Sequence, residues 1–258
     1  MRTMREYSLP PSDEPVDFRR QATSYAQYRQ DYSPGLYAAI AARTGAADGR
    51  HAADVGCGTG FVTAALRTRG WKAVGIDFSA PMLAEARRAR LPLARAVAEA
   101  IPLRDASVAL VTSGTAFHWF APATTVAEFA RVLVPGGYVA LFWRYPAPGQ
   151  PYMRLVADTL RSIGAAVPDV FEGITVHPSN PFADSPLDAE PPLTIATDLR
   201  FTAESFHGYI ATLEWARRFA GARHDEFLDR LGSELARRWP EPFRERNDVH
   251  VFLARKPG

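Results

Sequence analysis

A chain of 258 residues that is 47% hydrophobic can bury a full core, so one large domain, or one domain with a substantial appendage, is expected. Its single cysteine, Cys57, excludes an internal disulfide and a cysteine-built zinc site, and the six histidines lack the HExxH type of ligand spacing, so no metal is expected. The net charge of +2 is spread without a basic stripe and no apolar run reaches about 18 residues, which disfavours nucleic-acid binding and a membrane-spanning helix.

Residues 1–16 are rich in Pro, Ser and charge; they read as a disordered arm with no apolar segment of the secretion-signal kind. Residues 17–258 read as one domain. Phe18, Tyr25, Tyr28 and Tyr32 recur roughly by helical turns, and Leu36, Ala39 and Ile40 continue an apolar face in a second helix after Pro34. An alternation follows: HAADV (51–55) as strand, TGFVTAALRTRG (59–70) as helix, KAVGI (72–76) as strand, SAPMLAEARRAR (79–90) as helix. ARAV (94–97) and SVALVTS (107–113) are the next strands. A helix from Pro122 to Leu133 stops at Pro135-Gly136-Gly137, and YVALFW (138–143) is the fifth strand.

From 144 to 192 nine prolines accompany one helix (152–165), a texture that suggests a cover inserted over the sheet. LTIATDLRF (193–201) reads as a strand, 202–219 as one helix capped by Thr202, 224–239 as another helix, and DVHVFLARK (248–256) as a closing strand. Short apolar strands alternating with amphipathic helices predict parallel pairing in a doubly wound sheet of about seven strands with helices on both faces. Such sheets bind ligands at the carboxyl ends of their strands, which places DVGCGTG (54–60) at the mouth of the first strand.

That loop is not a phosphate loop by its spacing. GxxxxGK[ST] is absent, and the third glycine of GxGxxG would fall on Phe61; the actual pattern is GxGxG, with Gly56, Gly58 and Gly60. Asp54 would repel a pyrophosphate, whereas it suits a ligand with an ammonium or other positive charge. One strand later Asp77 ends GID, aligned for a ribose diol. A ribose, a cationic end and no phosphate together describe S-adenosylmethionine.

DVGCGTG, GIDFSAPML, AEAIPLRDASVALVTS and RVLVPGGYVAL, in that order, resemble the successive motifs of class I S-adenosylmethionine-dependent methyltransferases, in the small-molecule branch called methyltransferase type 11. The likeness covers roughly 50–143. TSYAQYRQDYSP is similar to the family's YxxYRPxYP segment, with Gln30 and Ser33 where prolines usually stand. The resemblance implies a Rossmann-like core (50–143), an N-terminal helical lid (17–45), a substrate cover (144–192) and C-terminal strands and helices (193–258).

It also implies residue roles. Gly56 and Gly58 would let the backbone approach the methionine and ribose parts, and Asp77 would hold the ribose hydroxyls. Phe78 and Met82 would wall the adenine, with Ala98 and Glu99 at its edge. Tyr25, Tyr28 and Arg29 either fold over the cofactor, Arg29 on its carboxylate, or are a helix face packed on the core. Cys57 is a packing residue. In GTAFHWF (114–120), Thr115 and Ala116 would line the transfer centre, with Phe117 and Trp119 toward the acceptor. His118 either removes the acceptor's proton or is a structural hydrogen-bonder. Tyr28, Phe117, Trp119, Trp143 and Trp215 suggest an apolar or aromatic acceptor.

The expected function is methyl transfer to O, N or C of a small organic molecule, such as a secondary metabolite, by a cytoplasmic monomer or homodimer. The alternative is a protein of the same fold that holds the cofactor for a cyclisation or another non-methylating reaction.

Overall fold

The computed structural model describes residues 18–167 and 181–258. The expected arm at 1–16 and part of the expected cover lie outside them. The described chain divides into two compact units, one built from the described parts of Gln30–Arg144, His177–Ile195 and Val249–Gly258, the other from those of Met1–Arg29, Tyr145–Val176 and Ala196–Asp248.

An eight-stranded sheet runs in the order β3-β2-β1-β4-β5-β8-β6, with β7 paired to β8. The strands are β1 (His51–Val55), β2 (Lys72–Asp77), β3 (Leu93–Arg95), β4 (Val108–Gly114), β5 (Leu133–Pro146), β6 (Asp188–Ala189), β7 (Leu193–Phe201) and β8 (Phe243–Arg255). The first five pair in parallel, and β6 is antiparallel to β8. The fold is therefore Rossmann-like, one short strand larger than expected: β6 has only two residues and no alternation to announce it.

Crossover helices join the parallel strands: α3 (Phe61–Thr68), α4 (Ala80–Arg87) and α5 (Pro122–Val132). The chain moves outward from β1 to β3, then returns to β4 and continues to β5. Right-handed crossovers in opposite directions put α3 and α4 on one face and α5 on the other. The reversal between β1 and β4 is the switch point, and a crevice opens there at the carboxyl ends of the strands. One side of the core joins α2 (Pro34–Thr44), through Leu36, Tyr37 and Ile40, to Val62, Ala65 and Leu66 of α3 and to Leu110, Phe142 and Val251 of the sheet. The apolar spacing of α2 and α3 is helical, which is why their inward faces coincide.

In the other unit α1 (Phe18–Tyr28), α6 (Pro151–Ser162), α7 (Ala203–Ala211), α8 (Glu214–Ala220) and α9 (His224–Arg238) surround a second core. Phe227, Leu231 and Leu235 project from α9 at four-residue steps, beside Val156 and Leu160 of α6, Phe206 and Ile210 of α7, and Phe201. Trp215 packs against this cluster. The single helix expected over 202–219 is two, α7 and α8, broken at Thr212-Leu213. The Thr212 and Leu213 amides donate to the Tyr209 and Ile210 carbonyls in a tightened last turn, the Thr212 hydroxyl adds a 2.7 Å bond to the Tyr209 carbonyl, and Arg29 donates to both Thr212 oxygens. The capping box at Thr202 and Ser205 starts α7 as its sequence requires. No described helix is long and apolar enough to cross a membrane.

Candidate active site

The loop after β1 is folded back onto the end of β2. The Gly56 and Cys57 amides both donate to the Ile76 carbonyl, at 2.8 and 3.1 Å, and the Gly60 amide donates to the Cys57 carbonyl at 2.9 Å. The Gly58 amide donates to Asp77 Oδ2 at 2.8 Å. Four N–H groups of a loop that could have cradled phosphate are thus already spent on a carbonyl or a carboxylate. The glycines serve two ends. At Gly56 (φ +71°) a Cβ would lie 2.5 Å from the Ala116 Cβ and 3.0 Å from Phe120, so its bareness lets the β4 loop close onto the β1 loop. At Gly58 (φ +53°) a Cβ would meet nothing within 4 Å: the backbone there faces open space.

Asp77 ends β2 as a clamp. Its Oδ2 holds Gly58 and its Oδ1 accepts from the Ser79 amide at 2.8 Å; Ser79 in turn caps α4 by accepting from the Met82 amide. Burial raises the Asp77 carboxyl above its ordinary range, opposed by these amide donors. Phe78 beside it is 51% exposed, an aromatic face held out at the carboxyl edge. Met82 and Ala98 are buried. Glu99 accepts from the Ala121 amide at 2.8 Å just ahead of α5, so its carboxylate supports the start of that helix.

Asp54, the last acid of β1, lies deeper. It is 1% exposed, and the Thr63 and Thr112 hydroxyls donate to its two oxygens at 2.7 and 3.0 Å. Burial pushes its carboxyl up to about 6 against those two donors. Its two oxygens are thus bonded within the protein, behind the loop. Burial first, then the carboxylates of Asp54 and Asp77, push the Cys57 thiol up, which leaves it a small packing side chain.

The other wall of the crevice is the segment after β4. Thr115 has φ +51°, a left-handed conformation that costs a β-branched residue of order 1–3 kcal/mol. It is held there by its amide, which donates to the Phe142 carbonyl at 2.7 Å, and by a 2.7 Å hydrogen bond between its hydroxyl and that of Tyr32. Tyr32 meets Phe142 edge-on, and the Arg144 guanidinium lies 4.4 Å over its ring while donating to the Gln30 and Asp31 carbonyls. The Asp31 carboxylate accepts from the Tyr37 hydroxyl at 2.6 Å and from the Tyr32 amide. Asp31, Tyr32 and Arg144 thus join this wall by contact; the sequence signal for Asp31 and Tyr32 is their place inside the YxxYRPxYP-like segment.

A short 3-10 turn, Phe117–Trp119, follows. Trp119 is 42% exposed and stacks at a tilt on His118, ring centres 4.7 Å apart. The Trp143 indole N–H donates to His118 Nδ1 at 3.2 Å. Phe117 and Trp143, expected toward the acceptor, are 1% and 0% exposed and pack edge-to-face on each other. Both rings pack beneath the loop, because the turn faces Phe117 inward onto Phe129 and Phe120 while Trp119 faces out.

Tyr25, Tyr28 and Arg29 belong to the other unit. The Tyr28 ring fills the space a side chain at Gly208 would need, its nearest atom 2.5 Å from where that Cβ would stand. Arg29 lies between the rings of Tyr25 and Tyr209, at 4.8 and 4.9 Å, and donates to Thr212. Among the described residues no group of three or more His, Cys, Asp or Glu could hold a metal ion.

Residues 53–141 match the family described as methyltransferase domain. The chain is 37% identical over 123 residues to an uncharacterised methyltransferase of Mycobacterium tuberculosis, a stretch that is 46% of this chain and 50% of that protein. It is 35% identical over 155 residues to a malonyl-[acyl-carrier protein] O-methyltransferase of Enterobacter lignolyticus, covering 57% of this chain and 60% of the relative. The match thus spans about half the length of the first of these curated relatives. Among solved structures, a chain assigned as a type II methyltransferase from Anaeromyxobacter dehalogenans aligns over 89% of this chain and 99% of its own, with TM-score 0.66 and 25% identity.

Proposed function

We propose that this chain, a member of the class I S-adenosylmethionine-dependent methyltransferase family, binds S-adenosylmethionine in the crevice between the β1 and β4 loops and transfers its methyl group to a small organic acceptor. One observation carries the reading. The amides of Gly56, Cys57, Gly58 and Gly60 are already bonded within the protein, while the backbone at Gly58 stands open beside the Asp77 carboxylate. Such a cradle accepts a nucleoside and rejects a pyrophosphate. The residues present fit that cofactor: Asp77 as the ribose partner, the exposed Phe78 as an adenine wall, and Asp54 as buried negative charge behind a cationic group. When bound, the cofactor supplies an electrophilic methyl on a sulfonium.

The chain's own contribution is positioning. The strained Thr115, tied to Tyr32 and to β5, fixes the wall opposite the glycine loop, and the packing of Ala116 and Phe120 over Gly56 sets its distance. Alignment of this kind supplies about 7–11 kcal/mol in well-oriented reactions. Trp119 offers an exposed aromatic surface to the acceptor, and oxygen, the atom named for the malonyl-[acyl-carrier protein] relative, is the receiving atom we favour here. The reading is tested by incubating the purified protein with methyl-labelled S-adenosylmethionine and a panel of carboxylic acids, phenols and amines. Label transferred to an organic acceptor is expected; tight cofactor binding with no transfer to any of them would overturn methyl transfer and favour a cofactor held for other chemistry.

A further inference from the structure

The segment between β3 and β4 crosses from one strand to the next outside the ladder, so its peptide groups must find partners elsewhere. Its first residues are tied to the end of β2. The Ala96 amide donates to the Asp77 carbonyl at 3.2 Å, and Arg95 Nε donates to the Phe78 carbonyl at 3.0 Å. Glu99 Oε1 then accepts from the Ala121 amide at 2.8 Å and from the Thr125 hydroxyl at 3.4 Å. Ala121 adjoins Phe120, the ring that crowds Gly56. Ala98 and Glu99 therefore run between the Asp77 end of β2 and the loop that closes on the glycines.

The remainder of the segment is gripped by one ion pair on α5. Arginine has five N–H donors and no acceptor, and Arg131 uses all five. Two go to the Glu128 carboxylate, Nε to Oε2 at 2.7 Å and Nη2 to Oε1 at 2.6 Å. The others go to the carbonyls of Ile101 at 3.0 Å and Leu103 at 2.9 Å and to Asp105 Oδ1 at 2.5 Å. Glu128 Oε1 also accepts from the Ile101 amide at 2.7 Å. Its bond to Arg131 holds the Glu128 carboxyl below its ordinary range, so the pair is charged at neutral pH.

We propose that Glu128 and Arg131 are positioning residues that make the crevice selective for adenine, by holding residues 98–101 in a fixed place beside Asp77. The inference rests on the S-adenosylmethionine reading, which puts the edge of the base at Ala98 and Glu99. Adenine and hypoxanthine share a shape and differ at that edge, an amine against a carbonyl. A held acceptor there takes the amine and is left unmet by the carbonyl, which is costly only if the segment cannot shift to suit.

Two measurements decide this, and the first needs no ligand. Amide exchange followed by NMR is expected to show the Ile101 amide protected in the wild type and exchanging about tenfold faster or more in Arg131→Lys, whose ammonium cannot meet five acceptors. An Ile101 amide that exchanges freely in the wild type, or as slowly in the variant, would overturn the clamp. The second is the ratio of calorimetric Kd values for S-inosylhomocysteine and S-adenosylhomocysteine. The wild type is expected to favour adenine by about tenfold or more, and Arg131→Lys to bring the two within about threefold by weakening S-adenosylhomocysteine. Asp77→Ala is expected to weaken both ligands alike and keep the ratio. Should Arg131→Lys not fold, Glu128→Gln, which loses the charge pair but no volume, takes its place with the same expected fall. An unchanged ratio, or a wild type without preference, would overturn the proposal. A wild type that binds neither ligand would defeat the cofactor reading, while exchange at Ile101 would still decide the clamp.

Discussion

At the scale of single residues, two aspartates twenty-three positions apart divide the work by burial. Asp77 sits at the mouth of the crevice and clamps the glycine loop to the start of α4, so Asp77→Ala is expected to weaken S-adenosylhomocysteine binding at least tenfold by calorimetry; unchanged affinity would place the ribose elsewhere. Asp54 has the opposite situation, sealed behind the loop with its carboxyl pushed up to about 6 from an ordinary 3.8. Between those values the folded protein holds a proton that the unfolded chain has released. Stability contributed by Asp54 is therefore full at low pH and declines as pH rises through the window, by up to about 3 kcal/mol. Asp54→Asn removes this term. Its stability relative to wild type, measured by denaturant unfolding of the cofactor-free protein, is expected to rise from pH 4 to 6 and then level off. A difference that stays flat or falls across that range would contradict the burial account.

At the scale of elements, α1 meets α7 through the Tyr28 ring against Gly208 and through Arg29, which follows α1. Arg29 lies between two tyrosine rings and donates to both oxygens of Thr212 where α7 ends. Its removal leaves the Thr212 carbonyl without this donor, the hydroxyl with only its bond to the Tyr209 carbonyl, and two aromatic faces uncovered. Arg29→Ala is expected to cost about 2 kcal/mol in urea unfolding. If Arg29 instead serves the cofactor's carboxylate, the variant would keep its stability and lose cofactor affinity, and the two assays separate these roles. The same arginine shows why sequence reading ran the helix straight through 202–219. Periodicity continues across Thr212 without a glycine or proline, and the break is made by a side chain from more than 180 positions earlier, which no local pattern records. Where the determinants are local, the elements were legible: the GxGxG turn, Pro81 at the start of α4 and the Thr202 cap of α7 are all where their chemistry puts them. The direction of an aromatic ring was not. Phe117 and Trp119 are two residues apart in one turn, and only the turn's setting on the sheet decides that one is core and the other exposed.

At the scale of the whole molecule, the order β3-β2-β1-β4-β5 fixes where chemistry can occur. The reversal between β1 and β4 brings DVGCGTG and GTAFHWF together, although their first glycines, Gly56 and Gly114, are fifty-eight positions apart in the sequence and have no local tie. Alternating strands and helices made that convergence readable in advance. The Tyr32–Thr115 hydroxyl pair, Arg144 over Tyr32 and the indole bond to His118 were not, since each joins residues by contact alone. The central claim is that the glycine loop holds a nucleoside without phosphate because its amides are already bonded. Calorimetric titration of the protein with S-adenosylhomocysteine and, separately, with NAD tests it most directly. The account predicts saturable binding of the first with one site per chain and no measurable heat from the second; tight binding of NAD with none of S-adenosylhomocysteine would contradict it.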